Sequence, residues 1–422
     1  MRMLSLCRVF VCNRFSLTAW VLALIVLVFA LFVYVCFFYL DICRFDAFKD
    51  GCQRPHPAQG DEAHYFKTEV RREKFSSLAG DIIGLTKIVN ANSIYAVSSS
   101  PDGKVFLGGG VDAKIIQVNS DEENWGVIEL FEGIKVIDDI KFLNNEKAVA
   151  VGSEGRIYQS ADGGVSWVLY NPEFPFGKTN PWLNSLRFDE AYTVAFADER
   201  YGLVGGIGRL LNTKNGGKTW HSIDVDADTV FEKIILKSDR SGWAATNRGL
   251  LRTKDGGNTW GTIFSFNKFF YGRLEVFALD YVENGLLCFS ERYDVYCSDT
   301  SESFNKANVE WSGKPRDRWG RVSGIKMINS RVGWFITDTG EIYRTEDGAR
   351  NWKLWVDVMS YMKGNSDCLD LDECKVALYS IASGVDSIYV VGKIEMSCKV
   401  GAKIYRSLSV LLNWKVSSEE YK

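Results

Sequence analysis

The sequence predicts an all-β chain: a seven-bladed β-propeller built on a repeated Asp-bearing hairpin, preceded by one N-terminal transmembrane α-helix. Three observations carry this reading. An octapeptide running from Ser or Thr through Asp or Asn and Gly to Trp recurs along the chain, every copy follows a short apolar stretch, and one run of 26 residues near the N-terminus holds no charge. Composition agrees. Of 422 residues 46% are apolar and 14% aromatic at a net charge of −3, so the chain can bury a large core and lacks the low hydrophobicity and high charge of disorder. With 50 basic against 53 acidic residues it also lacks the cationic excess that phosphate binding requires, so no nucleic-acid partner is expected.

The uncharged run is 15–40. A helix over it is roughly 39 Å long, against a hydrocarbon core of about 30 Å, so it spans a bilayer with some tilt. Arg2, Arg8 and Arg14 precede it without an acid, whereas Asp41, Arg44, Asp46, Lys49 and Asp50 follow in mixed sign. The positive-inside rule then assigns 1–14 to a cytoplasmic tail, 15–40 to a signal-anchor in the inner or plasma membrane, and the rest to the periplasm or another exported compartment. A cleaved signal peptide fits less well, because the run is long and does not end in small residues. Residues 41–80, charged, aperiodic and carrying Pro55 and Pro57, read as a juxtamembrane linker, and 81–418 as the propeller. Beyond the anchor 47 basic residues face 53 acidic ones, so the exported body is mildly acidic.

Four octapeptides define the repeat: Ser160–Trp167, Thr213–Trp220, Thr253–Trp260 and Thr345–Trp352. Short apolar strands lead into them, as in Arg156-Ile-Tyr-Gln, Arg209-Leu-Leu-Asn, Gly249-Leu-Leu-Arg and Glu341-Ile-Tyr-Arg. Worn copies start at Val118, Ser298 and Ser407, giving seven starts at 118, 160, 213, 253, 298, 345 and 407. A period of 40–50 residues with about four short strands per unit is that of a propeller blade. Within the octapeptide, Asp162, Asn215, Asp255 and Asp347 can accept hydrogen bonds from amides ahead of them and hold a tight turn, and the following Gly accepts positive φ. The closing Trp167, Trp220, Trp260 and Trp352 are expected to cover the hairpin with large apolar surfaces. All eight are read as structural.

These residues resemble the Asp box, or BNR repeat, of sialidases, sortilin-type receptors and several other propellers. The longer stretches Gly242–Trp260 and Gly333–Trp352 look most like the photosystem II stability and assembly factor family. Over 81–418 that resemblance implies a seven-bladed propeller on the lumenal or periplasmic side, acting as a chaperone-like, non-catalytic assembly factor. The implied partner is a membrane protein or its exported loop. Three of the seven copies depart from the pattern, and the last interval carries an insertion near Cys368 to Cys374.

Catalytic chemistry finds little support, and no enzyme activity is expected. The three His, at 56, 64 and 221, are not spaced as ligands and no C-x-x-C pair occurs, so no metal and no small-molecule cofactor are expected. Gly177-Lys-Thr179 and Gly217-Lys-Thr219 lack the upstream Gly of a P-loop. The alternative is a glycan-binding or sialidase-like glycoside hydrolase propeller. That reading needs an arginine triad for the substrate carboxylate with an acidic pair in the central pocket. The N-terminal Phe/Tyr-Arg-Ile/Leu-Pro motif of sialidases is absent, and their propellers have six blades.

Propeller geometry places the residues that open the third strand of each blade on one face: Lys114, Arg156, Arg209, Arg248, Asp294, Glu341 and Lys403. Five of the seven are basic, an arc interrupted by two acids. The link Trp311-Ser-Gly-Lys-Pro-Arg-Asp-Arg-Trp-Gly-Arg321 adds Trp311, Lys314, Arg316, Arg318, Trp319 and Arg321. Arginine pairs with carboxylates and stacks on aromatic rings, so this surface is the expected partner-docking site. Seven Cys lie beyond the anchor, at 43, 52, 288, 297, 368, 374 and 398. Cys368 with Cys374 and Cys43 with Cys52 are the local options, but connectivity does not follow from spacing.

Overall fold

The computed structural model describes residues 70–78, 80–88, 93–112, 114–119, 125–130, 136–170, 191–265, 278–283, 285–300, 303–311, 320–365, 375–398, 404–418 and 420, all within one unit, Glu62–Lys422. The expected cytoplasmic tail, the membrane span 15–40 and most of the linker lie outside them. Among the described residues no helix is long and apolar enough to cross a membrane.

Among the described residues seven sheets follow one another as blades, antiparallel throughout except that Asn308–Glu310 adds a parallel fifth strand to Asn351–Asp357 at the outer edge of the sixth. Blade 1 comprises Ile94–Ser99, Val105–Gly110, Lys114–Asn119 and Trp125–Glu129, counted from the innermost strand outwards. Blades 2, 3 and 4 start with the inner strands Ile137–Phe142, Ala191–Phe196 and Phe231–Leu236. Blades 5, 6 and 7 start with Leu279–Tyr281, Val322–Met327 and Lys375–Ser383. Each inner strand contacts the next, and Lys375–Ser383 returns to Ile94–Ser99, so the ring is closed. Blade 7 is a composite. Its strands Ser387–Cys398 and Ile404–Lys415 are joined by Ile82–Ile88, which pairs Gly84 with Asn413 and Ile88 with Ser409. Val70–Ser76, in the segment read as linker, adds a fifth strand.

The apolar core is divided among the blade junctions. Seven clusters of buried side chains each join two neighbouring blades. Val149, Val151 and Ile157 of blade 2, for example, pack on Ala191, Val204 and Trp220 of blade 3. Blade 7 packs on blade 1 through Tyr389, Val391, Leu411, Ile94 and Phe106. Because each blade is covered on both faces, the second strands of blades 2, 3, 4 and 6 are buried at every position: Ala148–Gly152, Gly202–Gly206, Gly242–Thr246 and Gly333–Thr337. They accordingly read as unbroken small or apolar runs instead of alternating. At Gly205 a Cβ would lie 2.7 Å from Phe231 Cβ of the next blade, so only glycine permits that approach.

The four octapeptides adopt one turn. In blade 4, Asp255 Oδ1 accepts the Thr259 N–H (2.9 Å) and the Thr253 hydroxyl (2.9 Å), while Oδ2 accepts the Thr259 hydroxyl (2.6 Å). Asp162 and Asp347 make the same contacts to Ser166 and Asn351. Gly256 and Gly257 take φ of 74° and 89°, which lets the Gly256 N–H donate to Arg240 O in the blade's first hairpin (2.9 Å). Asn215 supports the same turn without charge, accepting from the Thr219 N–H (2.9 Å) and donating to its hydroxyl (2.8 Å).

The worn seventh copy, Ser407–Trp414, is not a turn. Ile404–Lys415 runs straight through it as a strand, paired residue by residue with Ser387–Cys398. The segment has lost its Asp and both Gly, so nothing accepts the positive φ that the turn needs. Trp414 instead packs against Trp355 and Trp334 at ring-centroid distances of 4.8 and 5.6 Å. The long interval before it holds one helix, Val358–Asn365, capped by Asp357, which accepts the Ser360 N–H (3.0 Å). Cys288 and Cys297 form a disulfide across paired strands of blade 5, a connection that neither local spacing option contained. Cys43, Cys52, Cys368 and Cys374 lie outside the described residues.

In blade 4, Asp255→Ala removes three hydrogen bonds and is expected to cost about 1–2 kcal/mol in a urea titration at pH 7, whereas Asp255→Asn, which reproduces Asn215, stays within about 0.5 kcal/mol. Equal losses would show that these bonds do not hold the turn. Burial works against the charged forms of Asp162, Asp255 and Asp347, but the hydroxyl and amide donors outweigh it and hold all three below the usual carboxylate value. A depressed folded-state value adds stability above the unfolded value of about 3.9 and loses it as pH falls below, so unfolding free energy should be level from about pH 7 to 5 and decline below about pH 4. Asp255→Asn should weaken that decline.

Candidate functional site

Strand order fixes two faces. Every inner strand starts on one face, here called upper, and the turn between second and third strands returns to it; the octapeptide turns lie on the other. Backbone bonds confirm the arrangement: Ser153 N–H donates to Val136 O (3.0 Å), joining such a turn to the start of its own blade's inner strand, while Gly208 N–H donates to Thr229 O (2.7 Å) and Val322 N–H to Arg292 O (2.8 Å), each joining a turn to the start of the next blade's inner strand.

The inner strands enclose a central channel of about 430 Å³. Its wall is tied together by side chains that bond the backbone of the neighbouring blade. Ser98 accepts the Phe142 N–H (3.1 Å), Asp139 the Val194 N–H (3.0 Å), Thr193 the Ile234 N–H (3.1 Å) and Asp280 the Met327 N–H (2.7 Å). The Ser323 hydroxyl donates to Leu378 O (2.6 Å) and the Ser99 hydroxyl to Ser383 O (2.6 Å). Six of the seven junctions are joined this way among the described residues.

Charge in the channel is organised in layers. Asp139 and Lys233 form an ion pair (3.0 Å), and Asp139 also accepts the Thr193 hydroxyl (3.2 Å). One layer further from the upper face, equivalent register positions place Ser98, Lys141, Ala195, Ile235, Asp280, Lys326 and Ala382 around one ring. Lys326 pairs with Asp280 (2.9 Å). Lys141 makes no ion pair among the described residues: its side chain is exposed into the channel, whose wall encloses it. That enclosure pushes its amine below the usual lysine value, and repulsion from Lys326 and Lys233 pushes it further, against the attraction of Asp139 and Asp280. Tyr95 and Tyr379 meet edge to face at 4.8 Å in the same wall, and burial pushes the Tyr379 hydroxyl up, leaving it a neutral donor.

The expected docking arc is only partly assembled. Lys114, Arg156 and Arg209 stand half-buried at the starts of the third strands, as expected. Arg248 is held by Asp226 (2.5 Å) and Asp228, which keep its guanidinium charged. Arg321 pairs with Asp338 (2.7 Å). Asp294 is neutralised by Lys306 (2.7 Å), and Glu341 is buried, with 1% exposure, so neither is the exposed acid that the arc was expected to meet. Trp311 packs edge-on against Tyr343 at 5.2 Å and near Phe335 at 6.0 Å, covering the junction of blades 5 and 6. Lys314, Arg316, Arg318, Trp319 and Lys403 lie outside the described residues. Sequence reasoning missed Arg292 in the upper turn of blade 5, at a φ of 53°, although the spacing Glu291-Arg-Tyr-Asp294 is that of the same turn. It also missed the three channel lysines, which no motif marks.

A family model described as photosynthesis system II assembly factor YCF48 matches residues 174–310, which hold blades 3, 4 and 5. The chain has the fold of YCF48. YCF48 bound to a D1 peptide is 14% identical at a TM-score of 0.54, over 85% of this chain and 100% of that one. YCF48 from Cyanidioschyzon merolae is also 14% identical, at 0.53, over 77% and 96%. The resemblance drawn from the repeats is thus met. The structure of U3-55K, 10% identical at 0.55 over 80% and 99%, shares the same architecture, which shows how little the propeller alone says about function. No curated protein matches the chain. Among the described residues no arginine lines the channel, so the arginine triad of a sialidase-like pocket has no counterpart there.

Replacing Asp139 by Ala would leave Lys233 unpaired and strip the acceptor from Val194 and Thr193. The expected cost is about 2–4 kcal/mol by urea denaturation, with Asp139→Asn costing less because the acceptor remains. A loss below about 0.5 kcal/mol for Asp139→Ala would show that the channel wall does not depend on it.

Proposed function

We propose that this chain is a membrane-anchored, exported β-propeller that binds other proteins without catalysis, as an assembly or stability factor for a membrane protein or complex. The observation that carries the reading is the family-model match over blades 3 to 5, on a chain whose whole propeller has the YCF48 fold. One of those YCF48 structures holds a D1 peptide, which makes an exported segment of a membrane protein the natural class of partner here. In this reading the octapeptide turns are Asp-box hairpins with structural duty only, and the upper face does the binding.

The chemistry of that face supports the assignment. Lys114, Arg156, Arg209, Arg248, Arg292 and Arg321 distribute cations over five blades and a link. Arg248 is paired with two largely exposed carboxylates, and such pairs are worth about 0–1 kcal/mol each, so a partner carboxylate can displace them, whereas Arg321 is held by the half-buried Asp338. The expected helix 15–40 would hold this surface near the bilayer, which favours encounter with a membrane-embedded partner by raising its effective concentration. Arg316, Arg318 and Trp319 of the link between blades 5 and 6 would extend the cationic surface with an aromatic contact, Trp311 being committed to the blade junction.

Exchanging Arg156, Arg209, Arg316 and Arg318 for Glu should abolish capture of the partner in crosslinking pull-downs from the native membrane, while the melting temperature stays within a few degrees of the parent. Undiminished capture by a folded variant would remove the upper face from the interaction. Loss of capture together with unfolding is separated by a milder pair, Arg156→Gln and Arg209→Gln, for which a graded loss is expected.

A further inference from the structure

Among the described residues the channel contains one cation that no ion pair holds. Lys233 and Lys326 are consumed by Asp139 and Asp280, and those carboxylates are themselves fixed by Val194 and Met327 N–H groups. Lys141 has no such partner among the described residues, although it shares the cavity with both lysines. A third ammonium in a cavity shared with two others is repelled by both, and an anion beside it would offset that repulsion. Its neighbours in the ring leave room for a compensating group: Ala195, Ala382 and Ser98 are small, and the Ser98 hydroxyl, which accepts from Phe142, retains its own hydrogen to donate. Small side chains on three of seven blades, in a channel of about 430 Å³, leave space for a molecule of a few heavy atoms beyond water.

We propose that the channel is a binding site for a small oxyanion, a phosphate or a carboxylate, held by Lys141 with Ser98 and reached by the field of Lys233 and Lys326. Lys141 supplies a charge-assisted hydrogen bond to one oxygen and Ser98 a neutral one. Asp139 and Asp280 attract Lys141 through the field without an ion pair to it, and their oxygens accept from backbone amides and from their own lysines. Asp138 and Glu232, also in the channel wall, repel an anion that stays near the upper face, so the favourable position is one layer deeper, level with Lys141. The site is independent of which protein the upper face takes, since none of its residues belongs to the arc.

The test uses the full chain in detergent at fixed ionic strength, titrated in separate arms with inorganic phosphate and with succinate, against chloride as the reference. Saturable heat at a stoichiometry of one, with a matching rise in melting temperature, is expected in at least one arm, and the arm that responds names the chemistry as phosphate or carboxylate. Lys141→Met, which keeps the aliphatic stem, should weaken binding by about tenfold or more, while Lys254→Met, outside the channel, should not change it. In anion-free buffer Lys141→Met should melt no lower than the parent, because it relieves the repulsion. No saturable binding in either arm, equal binding by Lys141→Met, or a lower melting temperature for that variant without anion would each overturn the proposal. Loss of partner capture by the upper-face variants leaves this result untouched, so the two readings fail separately.

Discussion

Pairing of Ile82–Ile88 with Ile404–Lys415 closes the ring, and every other property of the molecule depends on that closure. Each blade buries its two faces only against its neighbours, so an open array would leave the first and last blades with an apolar face in water. Here blade 7 covers blade 1 through Tyr389, Val391 and Leu411, and it does so while borrowing a strand from the opposite end of the sequence. The entropic cost of bringing distant segments together grows only slowly with loop length, whereas the clusters gained at the junction bury many large side chains. Closure is therefore favourable once neighbouring blades exist, and it comes late in sequence separation, as non-local pairing does.

The closed ring creates a channel whose wall must satisfy inward-facing backbone groups. An inner strand has a strand on one side only, so its free N–H and C=O groups need other partners. The chain answers with Ser98, Asp139, Thr193, Asp280, Ser323 and Ser99, one short polar side chain at nearly every junction, each bonded to the next blade's backbone. Two of these are carboxylates, and each brings a lysine to balance its charge. The polar character of the channel thus follows from the need to bond the inner strands, and Lys141 stands out because that need does not explain it.

Much of the fold was legible before any coordinate. Seven starts at near-constant spacing gave seven blades, and Asp162, Asp255 and Asp347 behave as local chemistry requires, because both donor and acceptor lie within five residues of one another. The seventh copy misled for an equally local reason: the frame survives in Ser407 and Trp414, but the residues that permit positive φ do not, and the segment becomes the strand that receives Ile82–Ile88. Of the docking arc, the placement of Lys114, Arg156 and Arg209 was readable from their position after the second strand. Their acidic interruptions were not. Glu341 is covered by its own blade's neighbours and Asp294 by Lys306, contacts that span different strands. Trp311, with no place in the repeat, turned out to cover the junction of blades 5 and 6.

By itself the sequence determined the blade count, the strand-turn-strand chemistry of the octapeptides and the face on which each turn emerges, since all of these depend on interactions within about a dozen residues. Tertiary structure alone decided which strand closes the ring, that Cys288 meets Cys297, and which charges are already spent. Above all it decided that Lys141, Lys233 and Lys326, at successive separations of 92 and 93 residues, share one cavity. The reason is physical: burial, ion pairing and the field at a channel amine are set by distances across blades, and a linear pattern carries no information about those distances until the ring is closed.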